Sequence, residues 1–174
     1  MEPVLAMLRG INVSGRNRVP MADLKAFFEA QGHTGVQTYI QSGNVVFRAG
    51  APLSGLEDRL SAHFGFPIPV LFRTRTEMEA IVSDNPFLQE EHTETDKLHV
   101  TFLEAAPDAG VAARLETLSY LPDRFILSGK DVFVYCPGGY GETKIHNLFF
   151  EKKLGVRATT RNWRSVNTLW GMMG

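Results

Sequence analysis

The chain has 174 residues, 44% hydrophobic and 21% charged, with a formal net charge of −1; it is long enough to bury a core without a disulfide or metal staple, as one domain or two small ones. A single cysteine, Cys136, excludes an internal disulfide framework and cysteine-rich zinc sites, and the near-neutral balance argues against a strongly basic, non-specific nucleic-acid binder. No apolar run approaches the roughly 18–20 residues of a membrane span and Met1-Glu2-Pro3 opens no charged-then-apolar leader, so the expectation is a soluble, globular, cytoplasmic protein with no membrane partner.

Val4 to Leu8 is a continuous apolar run of strand length, apolar in both phases, which implies a strand buried on both faces. A polar loop, Arg9 to Arg18, follows, and Pro20 suits the start of a helix striped by Met21, Leu24 and Phe28 and closed by Gly32. Val36 to Ile40 and Val45 to Phe47 read as a hairpin around Gln41-Ser42-Gly43-Asn44. Pro52 opens a second helix with Leu53, Leu56, Leu60 and Phe64, stopped by Gly65. Ile68 to Phe72 is then a strand whose flanking prolines, Pro67 and Pro69, place it at a sheet edge. Thr76 and Glu79 have the spacing of a capping box for a short helix, and residues 87–96, acidic and without periodicity, read as a linker.

A second round begins with the alternation of Leu98, Val100 and Phe102, continues through a helix bearing Val111, Leu115 and Leu118, and forms a hairpin around Ser128-Gly129-Lys130-Asp131. A glycine-rich turn, Pro137 to Gly141, leads to a helix ended by Gly155. A strand over 156–160 and a last helix from near Asn162, with Trp163, Val166 and Trp170 on one stripe, complete the chain. Ser42-Gly-Asn-Val-Val-Phe47 is echoed by Ser128-Gly-Lys-Asp-Val-Phe133. The expected class is therefore α+β: two tandem ferredoxin-like βαββαβ units, 1–75 and 97–174, the latter with the C-terminal helix, joined by a capped helix and acidic linker over 76–96. One long mixed sheet is the rival arrangement.

Charge is unevenly distributed. Residues 1–76 carry eight basic and five acidic side chains, residues 77–123 two and eleven, and residues 124–174 eight and three. The middle segment reads as a solvated acidic connector; the outer two could also converge on an anion. The Arg9–Arg18 loop holds three arginines and two glycines before a helix start, a setting that suits a phosphate. Its Gly10-x-x-x-x-Gly15 spacing lacks the lysine and hydroxyl of a P-loop. Gly138 to Lys144 is the corresponding loop of the second round, with Lys144 as counter-charge. The five histidines show no metal-ligand spacing. Cys136, ten residues before His146, reads as a buried strand-end thiol rather than a nucleophile. Base stacking of the RRM type is not expected, because the central strand has no aromatic and both its faces are covered.

Leu8-Arg-Gly-Ile-Asn-Val13, Val19-Pro-Met21, Thr38-Tyr-Ile-Gln-Ser-Gly-Asn44 and Thr160-Arg-Asn-Trp163 together resemble the family called domain of unknown function 1697. Ser14 stands where the family pattern usually has a second glycine. The resemblance implies two tandem ferredoxin-like units and supplies no activity. It singles out Arg9, Asn12, Ser42, Asn44, Lys144, Thr160, Arg161 and Asn162 as recurrent polar positions at loops and strand ends, more often a mark of binding than of packing. Two readings follow. In the first, a small anionic, phosphate- or nucleotide-like ligand binds in a polar cleft between the repeats. Arg9, Lys144 and Arg161 hold its charge and Asn12, Ser42 and Asn44 orient it. In the second, the polar motifs are a structural network in a non-catalytic module whose partner is a protein or an RNA. Neither requires a cofactor or metal, and catalysis stays open in the first.

Overall fold

A computed structural model describes all 174 residues, which form two compact units: Met1–Glu79 with Leu169–Gly174, and Ala80–Thr168. The first contains β1 (Pro3–Leu8), α1 (Met21–Ala30), β2 (Thr34–Tyr39), β3 (Asn44–Arg48), α2 (Leu56–Phe64) and β4 (Val70–Thr74), and ends within α3 (Arg75–Ser83). Its antiparallel sheet has the order β2-β3-β1-β4. Because side chains alternate along a strand, Val4, Ala6 and Leu8 share a face with Val45, Phe47 and Val70 and pack on Leu24 and Phe28 of α1 and Leu56 and Leu60 of α2. Leu5 and Met7 occupy the other phase and are also fully buried. That double burial is why β1 is apolar throughout.

The second unit contains β5 (Leu98–Leu103), α4 (Ala109–Glu116), β6 (Arg124–Ser128), β7 (Asp131–Tyr135), α5 (Asn147–Leu154) and β8 (Ala158–Asn162). Its sheet has the order β6-β7-β5-β8, also antiparallel. Leu103, Val132, Val134 and Ala158 pack with Leu115 of α4 and Phe150 of α5. Leu98, Val100 and Phe102 fill the opposite phase and are buried too. The fold is thus mixed α+β with two four-stranded antiparallel sheets, not one long sheet, and six helices. The sixth, α6 (Trp163–Met172), straddles the division between the units.

Several boundaries differ from those read in the sequence. Helix α2 starts at Leu56 rather than near Pro52, because Leu53–Leu56 forms a separate turn and Gly55, at φ +77°, resets the chain. The closing strand begins at Ala158, not Val156. Residues 87–96 are less linker-like than their composition implies, since they contain 3₁₀ turns at Pro86–Gln89 and Thr95–Lys97, with Phe87 wholly buried.

The capping box is real but lies two residues earlier. The Thr74 N–H donates to Glu77 Oε1 (2.9 Å), and the Glu77 N–H donates to Thr74 Oγ1 (3.2 Å). Thr76 instead donates its hydroxyl to Glu2 at the surface. Thr74→Ala should therefore cost about 1 kcal/mol by loss of a helix cap. Thr76→Ala should stay within about 0.5 kcal/mol, as exposed substitutions do. Chemical denaturation of both variants checks the assignment, and equal losses would refute it.

Candidate functional site

The Arg9–Arg18 loop is shaped by backbone that most side chains resist. Gly10, Asn12, Ser14, Gly15 and Asn17 all have positive φ, between +50° and +74°. Asparagine tolerates that region and can bond its own neighbourhood, and both asparagines do so. Asn12 Nδ2 donates to the carbonyls of Val19 (2.9 Å) and Gln41 (2.8 Å), while Asn12 Oδ1 accepts the Val19 N–H (2.8 Å). Asn17 Nδ2 donates to the Gly10 carbonyl (3.0 Å). Asn12 thus ties the loop to the entrance of α1 and to the β2–β3 turn. Ser14, at φ +50°, sits where glycine would be unstrained.

That turn is equally built. The Leu8 N–H donates to the Gly43 carbonyl (2.7 Å), and Gly43 has φ +91°. A Cβ there would fall 2.8 Å from Leu8 Cβ and 2.9 Å from Ile11 Cδ1, so only glycine fits. Asn44, fully buried, donates Nδ2 to the Tyr39 carbonyl (3.1 Å) and to Ser42 Oγ (3.0 Å). Asn12, Ser42 and Asn44 are therefore brought into one framework, in which the asparagine amides bond protein groups. Arg9, just past the end of β1, is half-buried and donates its backbone N–H to the Pro69 carbonyl (3.0 Å).

This framework surrounds an open pocket of about 510 Å³ lined by Asn12, Gly15, Arg16, Arg18, Pro20 and Gln41, among others. Pro20 is the N-cap of α1, extended at φ −63°, ψ 138°, and no side chain caps the helix. The N–H groups of its first turn have no intrahelical partner. Arg16 and Arg18 are exposed. The sequence assigns the charge to Arg9, Lys144 and Arg161; in this loop it is the two later arginines, together with Gln41, that line the pocket. Their signal was the arginine density of the loop, but only the chain's path shows which of the arginines line the pocket.

The remaining sequence-derived residues lie in the second unit. Arg161 is 8% exposed, on β8 opposite Val100; it donates Nη1 to Thr159 Oγ1 (2.7 Å) and to the Thr160 carbonyl (3.1 Å). Burial lowers its pKa to about 10. Arg73 stands at the matching register of the first sheet, opposite Leu5, 1% exposed, and donates Nη1 to the Phe72 carbonyl (2.9 Å). Nothing in the sequence of β4 drew attention to it, since one arginine in a strand reads as an outward residue. Asn162 caps α6 through the Ser165 N–H (2.8 Å). Lys144 is exposed in the loop after the 3₁₀ turn at Tyr140–Glu142, beside an open pocket with Asp123 and Glu142.

Thr160 belongs to a polar cluster the sequence reading missed. Its hydroxyl bonds Asn147 Oδ1 (3.0 Å) and lies 2.8 Å from Thr101 Oγ1. Asn147 also donates Nδ2 to Glu151 (2.9 Å) and to the Ala158 carbonyl (2.9 Å), and its N–H to the Tyr140 hydroxyl (2.9 Å). The Tyr140 ring stacks on His99 at 4.4 Å. Burial lowers the His99 pKa, with partial opposition from the Lys97 carbonyl, and raises that of Tyr140. These residues are scattered between positions 99 and 160, so only β5–β8 pairing and the placement of α5 unite them.

Cys136 is buried and its thiol is pushed up by burial, with a hydrogen bond to Thr143 acting the other way. His146, the nearest histidine in sequence, uses Nδ1 to accept the Phe149 N–H at the start of α5 (3.2 Å). No group of three or more His, Cys, Asp or Glu side chains is placed to hold a metal ion, and no helix is long and apolar enough to cross a membrane.

The chain belongs to the family described as Protein of unknown function (DUF1697), which matches residues 1–133. Its fold is similar to that of the conserved bacterial protein SP0830 from Streptococcus pneumoniae, with a TM-score of 0.73 and 22% identity over 99% of each chain. No curated protein matches it.

Two predictions follow from this chemistry. Arg161→Ala should destabilise the ligand-free protein by about 2–4 kcal/mol, because it strands buried acceptors; a loss below about 0.5 kcal/mol would show that the guanidinium is not structural. The second concerns acid. His33 and His99 both titrate below the ordinary histidine value in the folded state, His33 through burial and then the Arg59 charge. The unfolded chain therefore takes up protons first as pH falls below about 6.5, and stability is lost in that direction and regained above it. His99→Phe, which keeps a ring on Tyr140, should give a shallower fall in denaturation midpoint between pH 7 and 5; parallel falls would contradict the assignment.

Proposed function

We propose that the chain binds a small anionic ligand, phosphate- or nucleotide-like, at the loop pocket of its first unit. The observation that carries this reading is the lining of that pocket by Arg16 and Arg18 beside the uncapped start of α1. Guanidinium forks match phosphate oxygens, and unpaired first-turn N–H groups favour negative charge. Asp23 in the same turn offsets part of the helix dipole, so the arginines carry most of the attraction. Gln41 supplies a neutral hydrogen-bonding group at the rim. Asn12 and Asn44 serve as positioning residues, fixing the loop and turn so that little ordering entropy is left to spend on binding. In the second unit, Arg161, Thr160 and Asn162 are read as structural and Lys144 as a solvent-facing charge.

The finer architecture we read as a tandem duplication of a ferredoxin-like βαββαβ unit. Three observations support it: the shared strand order, the Arg73 and Arg161 pairs at one register, and the Ser42-Gly and Ser128-Gly hairpin echo. The lone buried Cys136 suits a reducing compartment, the cytosol in this reading.

A thermal-shift series with inorganic phosphate, pyrophosphate and nucleotides tests the binding site. At about 100 times its dissociation constant, a ligand adds about 2.7 kcal/mol to stability. For a chain of this length that raises Tm by about 5–10 °C. Arg16→Ala combined with Arg18→Ala should remove most of the shift and leave the unliganded Tm nearly unchanged. No response to any of these anions, or a response the double variant retains, overturns the reading.

A further inference from the structure

Three of the four sheet edges are blunted by devices within their own units. Strand β2 is interrupted by a bulge between Thr34 and Gln37. Along β4, Glu57 accepts the Val70 N–H, Glu77 accepts the Thr74 N–H, and Arg73 occupies the Phe72 carbonyl. Along β8, Asn147 and Arg161 occupy the carbonyls of Ala158 and Thr160. Unpaired edges invite other chains, so such protection is the norm. Strand β6 has none of it.

Ser128 and Asp131 flank a two-residue turn and are the hydrogen-bonded pair of the hairpin. The alternation of an antiparallel ladder makes Ile126–Phe133 and Arg124–Tyr135 bonded pairs as well. The N–H and C=O groups of Phe125 and Leu127 therefore point away from β7, and nothing in the chain takes them. A pocket of about 300 Å³ lies against this strand. Four consecutive residues, Arg124 to Leu127, line it, which both phases can do only along the strand's edge. Its other wall is the segment from Glu116 through Leu118 to Asp123.

We propose that this edge is a docking groove for an extended peptide segment of alternating apolar and basic side chains, added to the second unit's sheet as a fifth strand. The open ladder supplies backbone bonds, and Leu118, Tyr120, Phe125 and Leu127 supply apolar contacts. Charge sets the rest of the partner's chemistry. Glu116 and Asp123 line the groove, and an adjoining pocket that shares Ser119 to Leu121 and Asp123 adds Glu142 against Lys144. Arg124 does not offset them: its guanidinium is held by two bonds to Glu90 (3.0 and 2.9 Å) and lies 5.1 Å from the centre of the Phe87 ring. A surface with this excess of carboxylates selects lysine or arginine on the incoming strand.

The test uses the full chain and a fluorescent heptapeptide alternating lysine and valine, with amide hydrogen exchange read by NMR and binding by polarisation. The peptide should slow exchange at Phe125 and Leu127 at least tenfold more than at the amides of β2. The same peptide N-methylated at alternate backbone positions should bind at least tenfold more weakly, a comparison that needs no protein variant. Leu127→Pro, which removes an outward donor, should weaken binding similarly. An alternating glutamate–valine peptide that binds equally well overturns the proposal. So does binding that leaves the Phe125 and Leu127 amides unprotected, or no protection at millimolar peptide. Protection that rises with protein concentration in the absence of peptide overturns it in favour of a second copy of this chain.

Discussion

Burial of both faces of the central strands is the constraint on which the rest of the molecule depends. β1 and β5 each contribute side chains to two apolar surfaces, and Leu5, Met7, Val100 and Phe102 are as completely buried as the residues facing the helices. A sheet covered in this way leaves little of its central strand open to solvent. Polar groups gather instead in connecting loops and along sheet edges, as at the loop pocket and the open β6 edge, and where α5 meets β5 and β8, as in the cluster of Thr101, Asn147 and Thr160.

Displacing polar groups to the periphery creates unpaired backbone, and side chains answer much of that demand. Asn12, Asn17, Asn44 and Asn147 spend their amides on main-chain carbonyls of neighbouring segments. The arginines of β4 and β8 do the same for the carbonyl of the residue before them, although both are buried. A charged donor in such a place costs more to desolvate than an amide and is destabilising to lose, because its acceptors would be left without partners. The polar residues Asn12, Asn44 and Arg161 therefore have a structural explanation. Arg16 and Arg18, both exposed, line the open pocket.

Local patterns determined much of the fold. The apolar runs of β1, β3 and β7, the alternation of β5, the glycine stops after α1, α2 and α5, and the prolines before β4 are legible because strand burial and helix termination act on neighbouring residues. The errors occurred where two local solutions compete. Thr76 and Glu79 have the spacing of a capping box, but so do Thr74 and Glu77, and the end of β4 decides between them. An acidic stretch looked like linker because composition does not register a single buried anchor such as Phe87.

The sequence by itself determined the class of fold, the number of strands and their succession with the helices along the chain, and the loop in which basic residues gather. Those properties follow from hydrophobic periodicity and turn chemistry, which span only a few residues. Tertiary structure alone decided that Arg16 and Arg18, rather than Arg9, line the pocket and that Arg73 and Arg161 are buried at matching registers. It also decided that His99, Tyr140, Asn147 and Thr160 meet, and that β6 keeps an open edge. Each of these depends on strand pairing or on positive-φ backbone that brings distant residues together, and a side chain's identity carries no record of the neighbour it will meet across a ladder.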